Sequence, residues 1–194
     1  MTTTLLAPFD DSTASRPGFT LEHLGGARHR IILRGGFFPG WIGSFTSRIA
    51  EQGLNIISGS ARKITPATWL AMFEFEATPG TDPNRIDFLK LADDKLDRTP
   101  PKAIHLEHFQ IVPNPDGCVS VHISAHDQLG MLGSILKKFH LYMLFPNEVI
   151  VETAAGRVKD FFRLRGMGGA SPSSEALSAL QNALQSMACS QGTC

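Results

Sequence analysis

The sequence carries no excess of charge: over 194 residues, 18 Lys plus Arg balance 18 Asp plus Glu. A chain without net charge has no bulk attraction for phosphate backbones or anionic lipid, so neither nucleic acid nor a membrane surface is the expected partner. Cysteine is scarce. Cys118, Cys189 and Cys194 form an odd set with no C-x-x-C spacing, which argues against both a disulfide framework and a zinc site. Unbroken apolar runs are only a few residues long, far short of the ~20 needed to cross a bilayer. The opening MTTTLLAPFDDSTASRPG has no basic region leading into an apolar stretch, so residues 1–17 read as a flexible polar tail and a cytoplasmic location is expected. With 42% hydrophobic and 19% charged residues, the chain is expected to be a soluble globular protein with a sizeable core.

Chemical motifs are also missing. There is no G-x-S-x-G elbow, GMGG at Gly166–Gly169 lacks the length and lysine of a phosphate loop, and no cysteine has a histidine placed by motif as its base. The expectation is therefore a chain that is not an enzyme and needs no cofactor. Of the seven histidines, His105 and His108 would point to opposite faces of a strand, and His122 and His126 would lie about 13 Å apart along one. Neither pair makes a chelate. Arg163 and Arg165 share a strand face, which suits a solvated edge or an acidic contact.

What is present is a repeat. GWIGS at Gly40–Ser44 recurs as GMLGS at Gly130–Ser134, 90 positions on, each after an apolar-alternating stretch and before a helical one. Two units of about 90 residues follow, assigned to 18–113 and 114–194. In the first, Arg30–Arg34 is a strand ending at Gly35 and Gly36, and the segment from Gly40 to Gly53 is a helix with Trp41, Ile42, Phe45 and Ile49 on one face. Leu54–Thr65 and the alternating Trp69, Ala71, Phe73 and Phe75 make a hairpin. Asp82 caps a helix begun by Pro83, with Ile86, Leu89 and Leu96 inward, and Ala103–Val112 supplies a last strand. The second unit repeats this order: a strand at Cys118–Ser124, a helix at Leu129–His140, a hairpin across Ala155 and Gly156, and a helix from Ser174 with Leu177, Leu180, Leu184 and Met187 on one face. It has no closing strand of its own. LEHL at Leu21–Leu24 echoes LEHF at Leu106–Phe109, so a strand at 18–24 is expected to complete a sheet, that of the second unit.

The predicted class is α+β: two ferredoxin-like βαββαβ units, each an antiparallel sheet with its helices on one face. HDQLGMLGSILKKF followed by IVETAAGRVKDFFRL resembles the ACT domain, an amino-acid-sensing module, and is similar in particular to the ACT pairs of bacterial nitrogen-sensor uridylyltransferases. That family shows an Asp and a Pro-Gly at its first strand-to-helix loop and a later hairpin of the form T-x-x-G-x-V-x-D-x-F. Asp127, Gly130, Thr153, Gly156, Val158, Asp160 and Phe162 stand in those places. The first unit matches in a complementary way, keeping Pro39, Gly40 and GLNI at Gly53–Ile56 but carrying Phe37 in place of the acid. The second has Leu129 for the proline and Phe145 for Asn55.

Both loops suit ligand binding on physical grounds. Glycine at a helix start lets a ligand reach unpaired N–H groups, and the positive end of the helix favours a carboxylate. Asp127 alongside could accept from an ammonium group, and this combination suits a zwitterionic amino acid. The candidate site is Gly40, Asn55, Asp127 and Gly130, with the acid from one loop and the amide from the other unit. Gly43 and Gly133, one turn inside their helices, are instead expected to permit close helix packing. The expected function is regulatory: the chain binds an amino acid at the seam of two ACT-like units and signals to a separate, unidentified protein, as a homo-oligomer. Two other classes compete. One is a single-stranded RNA binder that stacks bases on Phe73 and Phe75; the other is a structural subunit without ligand.

Overall fold

The computed structural model describes residues 17–93 and 103–188. The N-terminal tail, the inward position given to Leu96, Cys189 and Cys194 lie outside the described residues. Unit one runs β1 (Gly18–Gly25), β2 (Arg28–Gly35), α1 (Trp41–Glu51), β3 (Leu54–Lys63), β4 (Trp69–Ala77) and α2 (Phe88–Asp93). Unit two runs β5 (His108–Pro113), β6 (Val119–His126), α3 (Met131–Leu141), β7 (Phe145–Ala154), β8 (Arg157–Arg165) and α4 (Ser174–Ala188).

The eight strands form one antiparallel sheet in the order β1-β2-β4-β3-β7-β8-β6-β5. Each half is a ferredoxin-like layer, but its outer strand comes first in the chain instead of last. This permutation corrects two expectations. β1 pairs with β2 and so completes the first unit's sheet, not the second's. The strand expected to close the first unit spans only His108–Pro113 and pairs with β6, so it opens the second unit. LEHL and LEHF are equivalent segments leading equivalent units. The helix expected at Pro83 is a single 3₁₀ turn at Pro83–Arg85, in which the Asp82 side chain accepts from the Asn84 N–H. α2 begins only at Phe88.

Strand alternation decides what is buried. In β2, Ile31 and Leu33 face inward; in β4, Trp69, Ala71, Phe73 and Phe75 do so. The corresponding row in β8 is Val158, Asp160, Phe162 and Leu164, so a single acid interrupts an apolar face. The helices cover this face. From α1 come Trp41, Ile42, Phe45 and Ile49, from α3 come Met131, Ile135, Leu136 and Phe139, and from α4 come Leu180, Leu184 and Met187.

The halves are related by an approximate two-fold axis. β3 and β7 pair antiparallel with Ser60 opposite Ile150, which are the same position of the repeat. Both strands carry a bulge at equivalent places, between Ile56 and Ser58 and between Pro146 and Glu148. Above this join α1 packs on α3, and the glycines expected to permit close packing do so. A Cβ on Gly133 would lie 2.9 Å from the Ser47 backbone nitrogen, and one on Gly43 would lie 3.2 Å from Leu136 Cβ.

Candidate functional site

The two-fold generates two seams. In each, the strand-to-helix loop of one unit faces the first residues of the central strand of the other. The loops share their backbone: Gly40 has φ 88° and ψ 0°, Gly130 has φ 84° and ψ 7°, and neither following helix has a side-chain cap. Left-handed φ at these positions is what glycine tolerates without strain.

The first seam is polar. Asp127 lies in the β6–α3 loop, where its N–H donates to the Gly156 carbonyl at 2.8 Å. Asn55, second residue of β3, donates from Nδ2 to Asp127 Oδ2 at 3.0 Å. The carboxylate of one unit thus meets the amide of the other. Gly130, Thr46 and Thr153 line the same cleft, whose volume is only ≈ 30 Å³, room for about one or two waters. The N-cap of α3 is Gly130, not Asp127, whose carboxylate is engaged by Asn55.

Asp160, 4% exposed, lines the same cleft. Burial pushes its carboxyl up to about 7; the negative charge of Asp127 adds to this, and a backbone hydrogen bond from Glu152 opposes it. Removing a carboxylate from water disfavours its charged form, and a second carboxylate nearby does the same. Asp160 matched the family hairpin but was not among the candidate site residues. The available signal was its register, an acid in phase with Val158, Phe162 and Leu164.

The second seam is aromatic. At the place of Asp127 stands Phe37, and at the place of Asn55 stands Phe145. Strand register puts Ala71 where the other half has Asp160, since Ala71 faces Ala61 as Asp160 faces Val151. The seam encloses a cavity of ≈ 200 Å³ walled by Phe37, Trp41, Trp69, Leu136, Phe145 and Pro146, with Lys63 and His140 also contributing.

Of the four predicted site residues, the structure gathers Asn55, Asp127 and Gly130 in one cleft. Gly40 is in the other: it lines the aromatic cavity, and a Cβ there would lie 3.0 Å from His140 Nδ1. The expectation that both loops meet in one composite site is corrected by the two-fold, which sends each loop to the opposite unit's strand.

Other residues singled out in the sequence have local partners. Arg163 pairs with Asp116 in the β5–β6 turn, and Arg165 approaches the same carboxylate at 3.5 Å. The hydrogen bond from Arg163 holds the Asp116 carboxyl down at about 2, with the Cys118 N–H contributing. Phe73 and Phe75 are fully buried beneath the helices, so they offer no stacking platform for bases. Among the described residues no group of three His, Cys, Asp or Glu side chains is placed to hold a metal ion, and no helix is long and apolar enough to cross a membrane.

No family model and no curated protein matches the chain. Among solved structures it is similar to the aspartate kinase from Synechocystis, at 15% sequence identity and a TM-score of 0.49, over 83% of this chain and 27% of that chain.

Proposed function

We propose that this chain is a non-catalytic regulatory module of the ACT type that binds an amino acid at the polar seam and passes the signal to a separate protein. One observation carries the reading: the Asn55–Asp127 hydrogen bond across the two units, in the cleft that the buried acid Asp160 also lines. Two acids lining one cleft with one amide donor form an acceptor-rich site, and an ammonium group supplies the donors and the positive charge it lacks. The uncapped start of α3 offers N–H groups to the ligand carboxylate.

The small volume of the cleft gives the site its means of regulation. An amino acid cannot enter while Asn55 holds Asp127, so binding exchanges a bond between the units for bonds to ligand. The seam opens in the process. A ligand that favours the opened seam shifts the equilibrium between two arrangements of the pair, and that shift is the signal.

The test is a thermal-melting screen against the twenty amino acids, since a ligand at 100 times its Kd stabilises by about 2.7 kcal/mol. Titration calorimetry of any hit on Asp127→Ala protein follows. Loss of roughly 1.5–3 kcal/mol of binding energy is expected; unchanged affinity removes Asp127 from the site, and no stabilisation by any amino acid overturns the reading.

A further inference from the structure

The aromatic seam is the larger of the two clefts, and no residue that equips the polar seam for an ammonium group is present in it. Phe37, Phe145 and Ala71 replace Asp127, Asn55 and Asp160, and among the described residues no carboxylate lines the cavity. We propose that this cavity binds a small aromatic carboxylic acid, with its ring between the Trp41, Trp69, Phe37 and Phe145 side chains and its carboxylate held by Lys63. This assignment is independent of the function proposed for the polar seam.

Three observations support it. A cavity of ≈ 200 Å³ exceeds the ~150 Å³ that admits a benzene ring in a protein interior. Its walls are aromatic on several sides: Trp41 and Trp69 meet edge-to-face at 5.7 Å, and Phe37 lies 4.4 Å from Trp41 between ring centroids. An inserted ring finds both faces and edges to pack against. Finally, the charge at this seam has one sign: the exposed Lys63 lies over the Trp69 ring at 5.7 Å and makes no salt bridge among the described residues. An apolar pocket with a lone ammonium beside it and no acid in its lining selects an apolar anion over a neutral molecule or a cation.

The chain provides its own reporter, since its two tryptophans both line this cavity. Phenylacetate, 2-phenylethanol and phenethylamine share a ring and differ in charge, so each is titrated against tryptophan emission excited where the probes do not absorb. The expected result is a saturable change with phenylacetate and at least about tenfold weaker response to the alcohol and the amine. Lys63→Met should remove most of that preference. Ala67→Phe, a change at an exposed turn residue of the lining, should block the cavity without disturbing the core. Three results overturn the proposal: no saturable response to phenylacetate, equal binding of all three probes, or phenylacetate binding that survives Ala67→Phe in folded protein.

Discussion

The two seams are built from the same loop and the same strand start, placed by the same two-fold, yet one presents Asp127, Asn55 and Asp160 and the other Phe37, Phe145 and Ala71. Their backbones are nearly interchangeable, as the matching φ and ψ of Gly40 and Gly130 show. Side chains alone separate a tight polar cleft from a roomy aromatic one. A repeat duplicates geometry, and ligand chemistry is then set residue by residue on each copy. The experiments that press hardest on this contrast exchange or remove the residues that differ.

The largest effect is expected at Asp160, the acid whose counterpart is Ala71. Its carboxyl is raised from 3.8 to about 7 in the folded protein by burial and by Asp127, so between those values the native state holds a proton that the unfolded chain has released. Stability then falls as pH rises from about 4 to about 7 and levels off above, the group being fully tolerated only when protonated. Asp160→Asn resembles the protonated form at every pH. It should therefore melt like the parent near pH 4 and higher by an amount on the order of a few kcal/mol near pH 8, while losing affinity for an ammonium-bearing ligand. Parallel melting curves for the two proteins across this range would show that burial at the polar seam is not strained. A gain in stability at the expense of binding is the usual mark of an acid kept for function.

Next in size is the helix crossing above the seams, where the two-fold is imperfect. A methyl group on Gly133 meets the backbone of Ser47 at 2.9 Å, whereas one on Gly43 meets the side chain of Leu136 at 3.2 Å. The Leu136 contact is relieved by a shift of a few tenths of an ångström, whereas the Ser47 contact is closer than a Cβ tolerates, so Gly133→Ala should cost about 2–3 kcal/mol and Gly43→Ala about 1 kcal/mol or less. Denaturant unfolding of both variants measures the difference. Equal losses would mean that the helices slide to accommodate either methyl group.

How far these features could be read in the sequence depended on their range. The GWIGS and GMLGS repeat, both first helices, the Trp69–Phe75 alternation and the face of α4 rest on local periodicity, and all are present. The Asp127–Asn55 meeting was also legible, because the two loops lacked complementary parts. The order of strands was not. LEHL and LEHF identify equivalent segments, but a strand's partner is fixed by long-range pairing, and a permuted unit has the same local pattern as an unpermuted one. Gly40 was misplaced for a related reason: nothing local says that antiparallel pairing of β3 with β7 carries the two loops to opposite seams. The aromatic cavity was hidden because Trp41 and Trp69 read as ordinary core residues by spacing alone.

The smallest expected effect lies where the two units leave their first helices. Unit one makes the turn into β3 with Gly53 at φ 76°, and unit two makes the same turn into β7 with Met143 at φ 56°. A residue with a Cβ in the left-handed region is disfavoured by roughly 1–2 kcal/mol. Glycine removes that strain, but its freer unfolded chain returns about 0.5–1 kcal/mol of the gain. Met143 is 52% exposed, so little packing is lost on its removal. Met143→Gly should therefore stabilise the protein by about 0.5–1 kcal/mol, whereas Gly53→Ala should destabilise it, because a Cβ there meets Thr81 Oγ1 at 2.9 Å in addition to the unfavourable φ. Measured side by side in denaturant, opposite signs would show that both copies of the turn demand the same backbone and that only unit one has the residue suited to it. Destabilisation by both substitutions would instead mean that the Met143 side chain contributes packing that outweighs its strain.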